Sequence, residues 1–448
     1  MVLKAGSHTY FLMRSSNRAK YRWEVELAEE SLLTDEFLRQ LINIGEVDIV
    51  VGLSTHNHAK TIGPVIGAIQ AGILKCFQRE RVAIINADGG SQDGTTELVE
   101  HAAIGDVWHG TKVYALRTLH SISVRYARIP DPVVALQTIL AAADLLRAKV
   151  CVMISPDSTT IQPDWLQHLA RPAYSDNFDL VCPIYQRQKF EGSLVRNLLY
   201  PMTRAIYGSR IREPYGSEFA ISGRLATDFL NNGVMSQDWG RMGPEISTTI
   251  FALSGKYRVC QSFLGAKQTP ARGTQDMVAA MRRTVGALFA SLDGNFPYWS
   301  TISGSQPVPT LGAQIEVPEE AARINRKRLL EMFSSGVAQL GPVLSSILSP
   351  TLHAELERIA NLGIDEFEYP AELWTKTVFE FAGSYHKSTI NRDHIIQALV
   401  PLYRGRSLTF LTENRDGSAD DLERREESLC ADFERLKPYL LEIWTDKK

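Results

Sequence analysis

Two acidic turns, each directly after a predicted buried strand, have the residue types of a nucleotide site. Asp88 follows the apolar run 82–86, and Asp157 follows the apolar run 150–154. Open α/β sheets bind ligands at the carboxyl ends of their strands. There Asp88 can accept hydrogen bonds from a base or a ribose hydroxyl. Asp157 can bind Mg²⁺ or Mn²⁺ together with a diphosphate, because these ions prefer oxygen ligands. If the two strands are neighbours, the turns form one crevice.

Both turns also have a purely structural interpretation. Gly89 and Gly90 permit a close ligand approach, but they equally permit a tight strand-to-helix turn. Ser91 or Asp93 can cap the helix that begins near Thr95. Asp157 could be a turn residue before the next helix. The sequence leaves both interpretations open.

The elements that must position these turns alternate along the chain. Short apolar runs at 47–53, 82–86 and 150–154 predict strands buried on both faces. Stretches with apolar residues at helical spacing, such as 61–69 and 133–146, separate them. Further strands are predicted at 122–127, 178–185 and 257–263. This order predicts an α/β fold with a mostly parallel sheet.

Composition excludes several classes of protein. With 448 residues, 44% of them hydrophobic, the chain can bury a large core and form two or three units. Its formal net charge of −3 provides no global field for nucleic acid or an anionic membrane. Five dispersed cysteines without a C-x-x-C pair indicate reduced core thiols. Without a signal-peptide pattern or a membrane-length apolar run, we expect a soluble, cytoplasmic protein with no integral membrane segment.

The chain divides by composition into four parts. We predict a helical lead-in over 1–45, including a helix over 22–41, the α/β domain over 46–295 and a Pro/Gly-rich linker over 296–317. Residues 318–448 are predicted to be all helical, with segments at 319–340, 343–362, 371–381, 393–403 and 420–444. Leucine stripes on these helices favour packing or self-association, so a homodimer is possible.

Three later features could approach a ligand. The stretch 214–222 is predicted as a glycine turn with a carboxylate followed by a capped helix. Glu245 stands at a predicted helix start, where a carboxylate is also favourable beside the helix dipole. A basic segment over 187–212 either faces an anionic substrate or forms a solvated surface.

Several of these motifs resemble one family in order and spacing. The stretches 54–62 and 86–95 look like the opening of GT-A fold glycosyltransferases. The doubled glycine, with the segments 214–222 and 243–250, resembles the retaining glucosylglycerate, mannosylglycerate and glucosyl-3-phosphoglycerate synthases. The resemblance covers roughly 45–295. It implies transfer of a hexose from a UDP- or GDP-linked sugar to a small acidic acceptor such as glycerate or 3-phosphoglycerate, with retention.

The resemblance also implies roles for individual residues. The donor would be bound by Leu53, Ser54, His58, Asp88, Gly89, Gly90, Ser155 and Asp157. The acceptor would be bound by Gly216, Ser217 and Glu245, and the catalytic set would be Glu218, Glu245 and Lys267. A divalent cation, Mg²⁺ or Mn²⁺, would bind at Asp157.

The chain departs from the family pattern around the cation. The usual D-x-D stands as Ser155-Pro156-Asp157, so one carboxylate remains. His58 replaces a common glutamate, and Thr269 stands where a metal-binding histidine is expected. The cation motif is therefore weakened, and Lys267 could offset diphosphate charge without a metal.

Two other functions remain open at the level of sequence. An inverting family-two glycosyltransferase of polysaccharide or lipid assembly would need a general base and usually a membrane anchor. Neither is evident in the sequence. A catalytically impaired regulator that only binds a sugar nucleotide would be consistent with the weakened cation motif and the helical tail.

Overall fold

The computed structural model describes residues 2–5, 8–11, 33–103, 119–126, 130–267, 277–314 and 325–446. The predicted position of Thr269 lies outside these ranges. The strands in chain order are β1 (Val2–Ala5), β2 (His8–Phe11), β3 (Ile49–Thr55), β4 (Val82–Asp88), β5 (His120–Arg125), β6 (Val150–Ile154), β7 (Leu180–Gln186), β8 (Phe219–Ser222), β9 (Val259–Ala266) and β10 (Thr310–Leu311). Eight of them form one sheet in the order β10-β9-β7-β8-β6-β3-β4-β5.

The centre of the sheet is parallel, as predicted. β3 pairs in parallel with both β4 and β6, and Leu53 is in register with Asn86 on one side and Ile154 on the other. β4 is buried along its whole length, which explains why its first four residues are all apolar. Because this register aligns the strand ends, the turns after β3, β4 and β6 lie at one edge of the sheet.

Within the predicted α/β domain, sequence reasoning missed one strand. The stretch predicted as a turn leading into a helix contains β8, which pairs antiparallel with both β6 and β7. Its four residues are too few for a clear alternating pattern. The predicted capped helix follows directly, because the Ser222 hydroxyl accepts a hydrogen bond from the Leu225 amide. The sheet is therefore mixed, with one antiparallel strand inside it.

Helices cover both faces of the sheet. They are α1 (Asp35–Ile44), α2 (Ala59–Cys76), α3 (Thr95–Glu100), α4 (Pro132–Leu145), α5 (Asp164–Ser175), α6 (Tyr200–Tyr207), α7 (Gly223–Asn231), α8 (Asp238–Met242), α9 (Pro244–Ser254), α10 (Met277–Met281) and α11 (Ala287–Trp299). Apolar residues of α2 and α5 form one core with the sheet, and those of α4, α7, α9 and α11 form the core on the other face.

The two segments that flank the predicted α/β domain contain strands. In the lead-in over 1–45, β1 and β2 pair antiparallel and the described helix is α1, so this segment is not wholly helical. In the predicted linker over 296–317, α11 continues to Trp299, and β10 adds a parallel edge strand beside β9. The domain boundaries stay predictions.

The described C-terminal region is all helical, as expected. Its helices are α12 (Arg326–Gln339), α13 (Gly341–Ile347), α14 (Pro350–Ala360), α15 (Ala371–Lys387), α16 (Arg392–Glu413), α17 (Ala419–Arg435) and α18 (Lys437–Thr445). The helix predicted over 343–362 divides where Pro350 begins α14, and the helix predicted over 420–444 divides into α17 and α18. Their apolar side chains continue the core that covers the α4 face of the sheet.

The basic segment contains three arginines that pair with carboxylates of the C-terminal region. Three of its arginines form ion pairs with glutamates of α17, which packs on α6. Arg196 pairs with Glu426, Arg204 with Glu427 and Glu434, and Arg212 with Glu423. These cations join the helical region to the sheet domain. The sequence could not identify their partners, which lie more than 200 residues away.

The fold class predicted from sequence is confirmed: an α/β domain with a mostly parallel sheet and an all-helical C-terminal region. Among the helices that the structure describes, none is long and apolar enough to cross a membrane.

Candidate functional site

A pocket of about 240 Å³ opens at the sheet edge where β3 and β6 end. One side is formed by the residues that follow these two strands, and the other by the start of β8, the start of α9 and the π-helical turn before α11. It is lined by Ser54, His58, Pro132, Leu136, Met153, Ile154, Ser155, Pro156, Asp157, Ser217, Phe219, Pro244, Glu245 and Arg283.

The pocket brings together six of the residues predicted from sequence. Four come from the predicted donor group and two from the predicted acceptor group. They are Ser54, His58, Ser155, Asp157, Ser217 and Glu245. Their segments are separated by up to about two hundred residues in sequence, and the parallel register of β3 and β6 together with the antiparallel return of β8 places them around one cavity.

His58 and Asp157 face each other across the donor side. His58 Nε2 lies 3.6 Å from Asp157 Oδ1, and both side chains are mostly buried. His58 Nδ1 accepts a hydrogen bond from the His56 amide at 2.9 Å, so a neutral ring carries its proton on Nε2, toward the carboxylate. The imidazole is therefore oriented by the backbone of its own turn.

The Asp88 carboxylate is occupied by its own turn. Oδ2 accepts hydrogen bonds from the amides of Gly90 and Ser91, at 2.8 and 2.7 Å. Oδ1 accepts from the hydroxyls of Ser91 and Thr55, and the residue is only 1% exposed. In this arrangement Asp88 shapes the turn and does not line the pocket. Its predicted contact with a base stays a prediction.

The glycines of this turn are needed for its backbone path. Gly90 has a φ of 87°, a conformation that favours glycine. A Cβ on Gly89 would lie 3.1 Å from Pro130 Cα, which is a tight contact. The Gly89 carbonyl is hydrogen-bonded at 3.0 Å to His56 Nδ1, which ties the turn to the end of β3. Leu53, in β3, is fully buried.

Behind Ser217, a buried ionic cluster supports the pocket wall. Glu218 is 0% exposed, and its carboxylate accepts hydrogen bonds from Ser158, Tyr185 and Lys267. Lys267 Nζ lies 2.6 Å from Glu218 Oε2 and also donates to Ser217 Oγ at 2.6 Å. Burial raises the pKa of Glu218, but Lys267 and the hydrogen bonds outweigh it, so the pKa is lowered overall.

This cluster changes what Lys267 can do. Its charge is compensated by Glu218, and it is not among the residues that line the pocket. It contacts the pocket through Ser217, whose hydroxyl it orients. The predicted catalytic roles of Glu218 and Lys267 stay predictions. The geometry supports a role for Lys267 in positioning the Ser217 hydroxyl.

Glu245 reaches the pocket from the first turn of α9. Burial raises the pKa of its carboxyl, and the nearby Arg283 guanidinium opposes that rise. Gly243 makes this neighbourhood possible, since a Cβ on it would lie 2.2 Å from the Arg283 carbonyl oxygen. Sequence reasoning missed Arg283, because nothing in the local pattern separates it from Arg282.

Gly216 supports the turn from behind. A Cβ at this position would lie 2.2 Å from Pro183 Cγ in β7, so only glycine fits against that ring. Its predicted contact with an acceptor stays a prediction, because Gly216 is not among the residues lining the pocket.

The donor side offers a reduced set of ligands for a divalent cation. Asp157 supplies a carboxylate and His58 Nε2 faces it, but no cluster of three or more acidic, histidine or cysteine side chains able to hold a metal occurs among the described residues. Mg²⁺ commonly binds through one or two carboxylates together with substrate phosphates and water. The residues therefore fit a cation that shares its coordination with a diphosphate.

A larger cavity, of about 900 Å³, lies at the opposite edge of the sheet. It is open, and three of its cations are already paired: Arg147 with Glu46, Lys149 with Asp48 and Arg224 with Asp179. It contains none of the predicted site residues. The smaller pocket at the carboxyl edge is therefore the better candidate.

No protein-family model and no curated protein matches this chain. Among solved structures, the chain is similar to glucosyl-3-phosphoglycerate synthase from Mycobacterium tuberculosis in complex with phosphoglyceric acid. The two are 20% identical over 59% of this chain and 85% of that chain, with a TM-score of 0.41.

Other structures of the same protein give similar values. A complex with Mn²⁺, UDP-glucose and phosphoglyceric acid is 21% identical over 59% of this chain and 84% of that one, with a TM-score of 0.41. A complex with Mg²⁺ and UDP is 19% identical over 57% and 82%, with a TM-score of 0.39. Because the likeness is this distant, function is inferred below from the residues of this chain.

Proposed function

We propose that this protein is a retaining glycosyltransferase that moves a hexose from a UDP- or GDP-linked sugar to a small acidic acceptor such as glycerate or 3-phosphoglycerate. The observation that carries the proposal is the single pocket in which Ser54, His58, Ser155 and Asp157 lie opposite Ser217 and Glu245. These are the residues that the resemblance to GT-A enzymes assigns to donor and acceptor.

The donor occupies the side formed by the ends of β3 and β6. Asp157 would hold a divalent cation together with the donor diphosphate, and His58 beside it can donate a hydrogen bond from Nε2. When bound, such a cation supplies charge neutralisation for the leaving diphosphate. His58 and Ser155 orient the phosphate side of the donor, and the turn held by Asp88 closes this edge.

The acceptor occupies the side formed by Ser217 and Glu245. Ser217 Oγ receives a hydrogen bond from Lys267, so its remaining lone pair can accept from a sugar or acceptor hydroxyl. The ionised Glu245 carboxylate accepts a hydrogen bond from the acceptor hydroxyl and holds it near the anomeric carbon. Leu136, Met153 and Phe219 form an apolar wall that excludes water from this position.

The transfer needs no side-chain nucleophile. The acceptor oxygen bonds to the anomeric carbon on the face from which the diphosphate leaves, and the bond from that carbon to the diphosphate oxygen breaks. The departing diphosphate takes the acceptor proton. The protein contributes orientation and charge stabilisation, which are large terms in catalysis when the groups are held in place before the reaction.

The proposal is tested with the full chain by calorimetry and a transfer assay. UDP-glucose and GDP-mannose are titrated with and without Mn²⁺, and each is then incubated with glycerate and 3-phosphoglycerate. We expect one donor to bind and to give a product whose anomeric configuration, measured by NMR, is that of the donor. Inversion would support the family-two alternative, and donor binding without turnover would support a regulator.

Assembly is a separate expectation. A homodimer through the C-terminal helices remains a proposal, and α15 and α17 already use part of their surface against α11 and α6 of the same chain. Light scattering on the purified full chain measures the mass directly, and a monomer would contradict it.

A further inference from the structure

The pocket contains one side chain with a permanent positive charge. Of its lining residues, Asp157 and Glu245 are acidic, His58 accepts a hydrogen bond from the His56 amide through Nδ1, and Arg283 is the remaining ionisable group. Within the part of the chain that the structure describes, the Arg283 guanidinium has no hydrogen-bond or ion-pair partner, and the side chain is exposed at the pocket. By contrast, Arg187 and Arg204 of the same domain are paired with carboxylates.

The backbone around Arg283 is arranged to present it here. Residues Arg282–Gly286 form a π-helical turn between α10 and α11, and such turns are frequent at functional sites. Gly243 lets the start of α9 pack against the Arg283 carbonyl, which brings Glu245 and Arg283 to the same wall. Arg282, the preceding residue, pairs at 2.8 Å with Asp393 of α16 and lines a different cleft.

Charge balance assigns a partner to this cation. A donor diphosphate at Asp157 would be neutralised by the divalent cation of the proposed site. An acidic acceptor brings a second anion, and Glu245 on the same wall repels it. A carboxylate or phosphate bound there without a cation would be strongly unfavourable, whereas a guanidinium binds such groups through two parallel hydrogen bonds.

We propose that Arg283 binds the acidic group of the acceptor and so makes this enzyme select a carboxylate- or phosphate-bearing acceptor over a neutral polyol. This rests on the proposed function, because it assigns a substrate group to the same pocket. Arg283 and Glu245 then divide the acceptor between them: Arg283 holds the acidic end, and Glu245 holds the hydroxyl that reacts.

The test compares two neighbouring arginines in the full-length protein. R283Q removes the charge from the pocket, R283K keeps the charge but loses the two-pronged geometry, and R282Q is the matched control outside the pocket. For each variant, the thermal midpoint, the dissociation constant for UDP-glucose and the steady-state constants for glycerate, 3-phosphoglycerate and glycerol are measured.

We expect R283Q to raise the KM for glycerate and 3-phosphoglycerate about 10- to 100-fold, the range for a lost charged hydrogen bond. The dissociation constant for UDP-glucose and the low activity toward glycerol should change less than about twofold. R283K should recover part of the loss, and R282Q should match the wild type.

Each other outcome contradicts the Arg283 assignment, the transferase proposal or both. If R283Q weakens donor binding as much as acceptor use, Arg283 contacts the diphosphate and the assignment fails. An unchanged acceptor KM with a thermal midpoint like that of the wild type also overturns it, while the transferase proposal stands. If the wild-type protein binds no nucleotide sugar and transfers nothing to any acceptor, both proposals fail.

Discussion

Lys267 Nζ lies 2.6 Å from Oε2 of Glu218, a carboxylate that is 0% exposed, so the lysine compensates a fully buried charge. The same ammonium group donates to Ser217 Oγ at the pocket wall. The pair therefore links the stability of the domain to the position of a predicted acceptor residue, and it can be tested through either property.

Lys267→Met should lower the free energy of unfolding by about 3–5 kcal/mol, because it leaves the buried Glu218 charge without its cation. Urea denaturation measures this loss. Lys149→Met is the matched control: Lys149 Nζ lies 2.9 Å from Asp48 Oδ1 but is 63% exposed, so its loss should lower the free energy of unfolding far less. Equal losses in the two variants would mean that the buried pair has no special role.

Asp157→Asn should remove the cation dependence of donor binding. The carboxylate is the one acidic group on the donor side of the pocket, and an amide is a poor ligand for Mg²⁺ or Mn²⁺. Calorimetry with UDP-glucose should give the same weakened affinity with and without Mn²⁺, lower than that of the wild type with Mn²⁺ by about tenfold or more. Asp164→Asn serves as the control, since Asp164 is a surface partner of Lys75.

A wild-type affinity that does not respond to Mn²⁺ would contradict a cation site at Asp157. In that case His58, 3.6 Å from the carboxylate, would be the remaining donor-side group for the diphosphate. The His58→Gln variant would then weaken UDP-glucose binding under both conditions.

Glu245 should determine the acidic limb of the pH–rate profile. Burial raises the pKa of its carboxyl above the ordinary value of 4.5. Because the ionised form accepts the acceptor hydroxyl, kcat/KM should rise with pH through this raised pKa and fall below it. Glu245→Gln should lower kcat/KM about 100-fold or more and abolish the limb.

The neighbouring arginine provides an internal check on that assignment. Arg283 opposes the rise in the pKa of Glu245, so R283Q should move the limb to higher pH. An acidic limb that is unchanged in Glu245→Gln would show that another group controls it.

Arg204 should be essential for attaching the helical region. Its side chain is 4% exposed, and its guanidinium bonds Glu427 at 2.7 Å and Glu434 at 2.6 Å. Arg204→Met should lower the free energy of unfolding by about 3–5 kcal/mol, measured by urea denaturation, because it leaves Glu434 without its cation at a packed interface. Arg212→Met is the control, since Arg212 and its partner Glu423 are 39% and 55% exposed, and it should cost under about 1 kcal/mol.

If Arg204→Met and Arg212→Met lower the free energy of unfolding equally, the exposed fraction of an ion pair would not govern its contribution to stability in this interface. A separate early transition for the helical region in Arg204→Met would indicate that α17 detaches before the sheet unfolds.

Much of the fold follows from local patterns. Apolar runs in β3, β4 and β6, with helical spacing between them, favour a parallel sheet because strands covered on both faces bury such runs. The Asp131 cap and Pro132 mark the start of α4 at the predicted position. β8 was missed because four residues between a glycine turn and a helix cap provide no distinct period.

The candidate site could be predicted to a similar extent. Recognisable motifs contain Asp157, His58, Ser217 and Glu245. The register of the strands brings these residues together. The partners of charged groups could not be predicted, because an ion pair such as Lys267 with Glu218 leaves no spacing in the chain. For the same reason, sequence reasoning singled out neither Arg282 nor Arg283, which lie in different clefts.

By itself the sequence determined most strands and helices of the α/β domain and which turns carry carboxylates, since hydrophobic period and turn chemistry are local properties. Only the tertiary structure decided which charges are neutralised and which remain available to a ligand. That difference depends on distances of a few ångströms between residues tens to hundreds of positions apart. It also depends on burial, because electrostatic interactions between charged groups are stronger away from water.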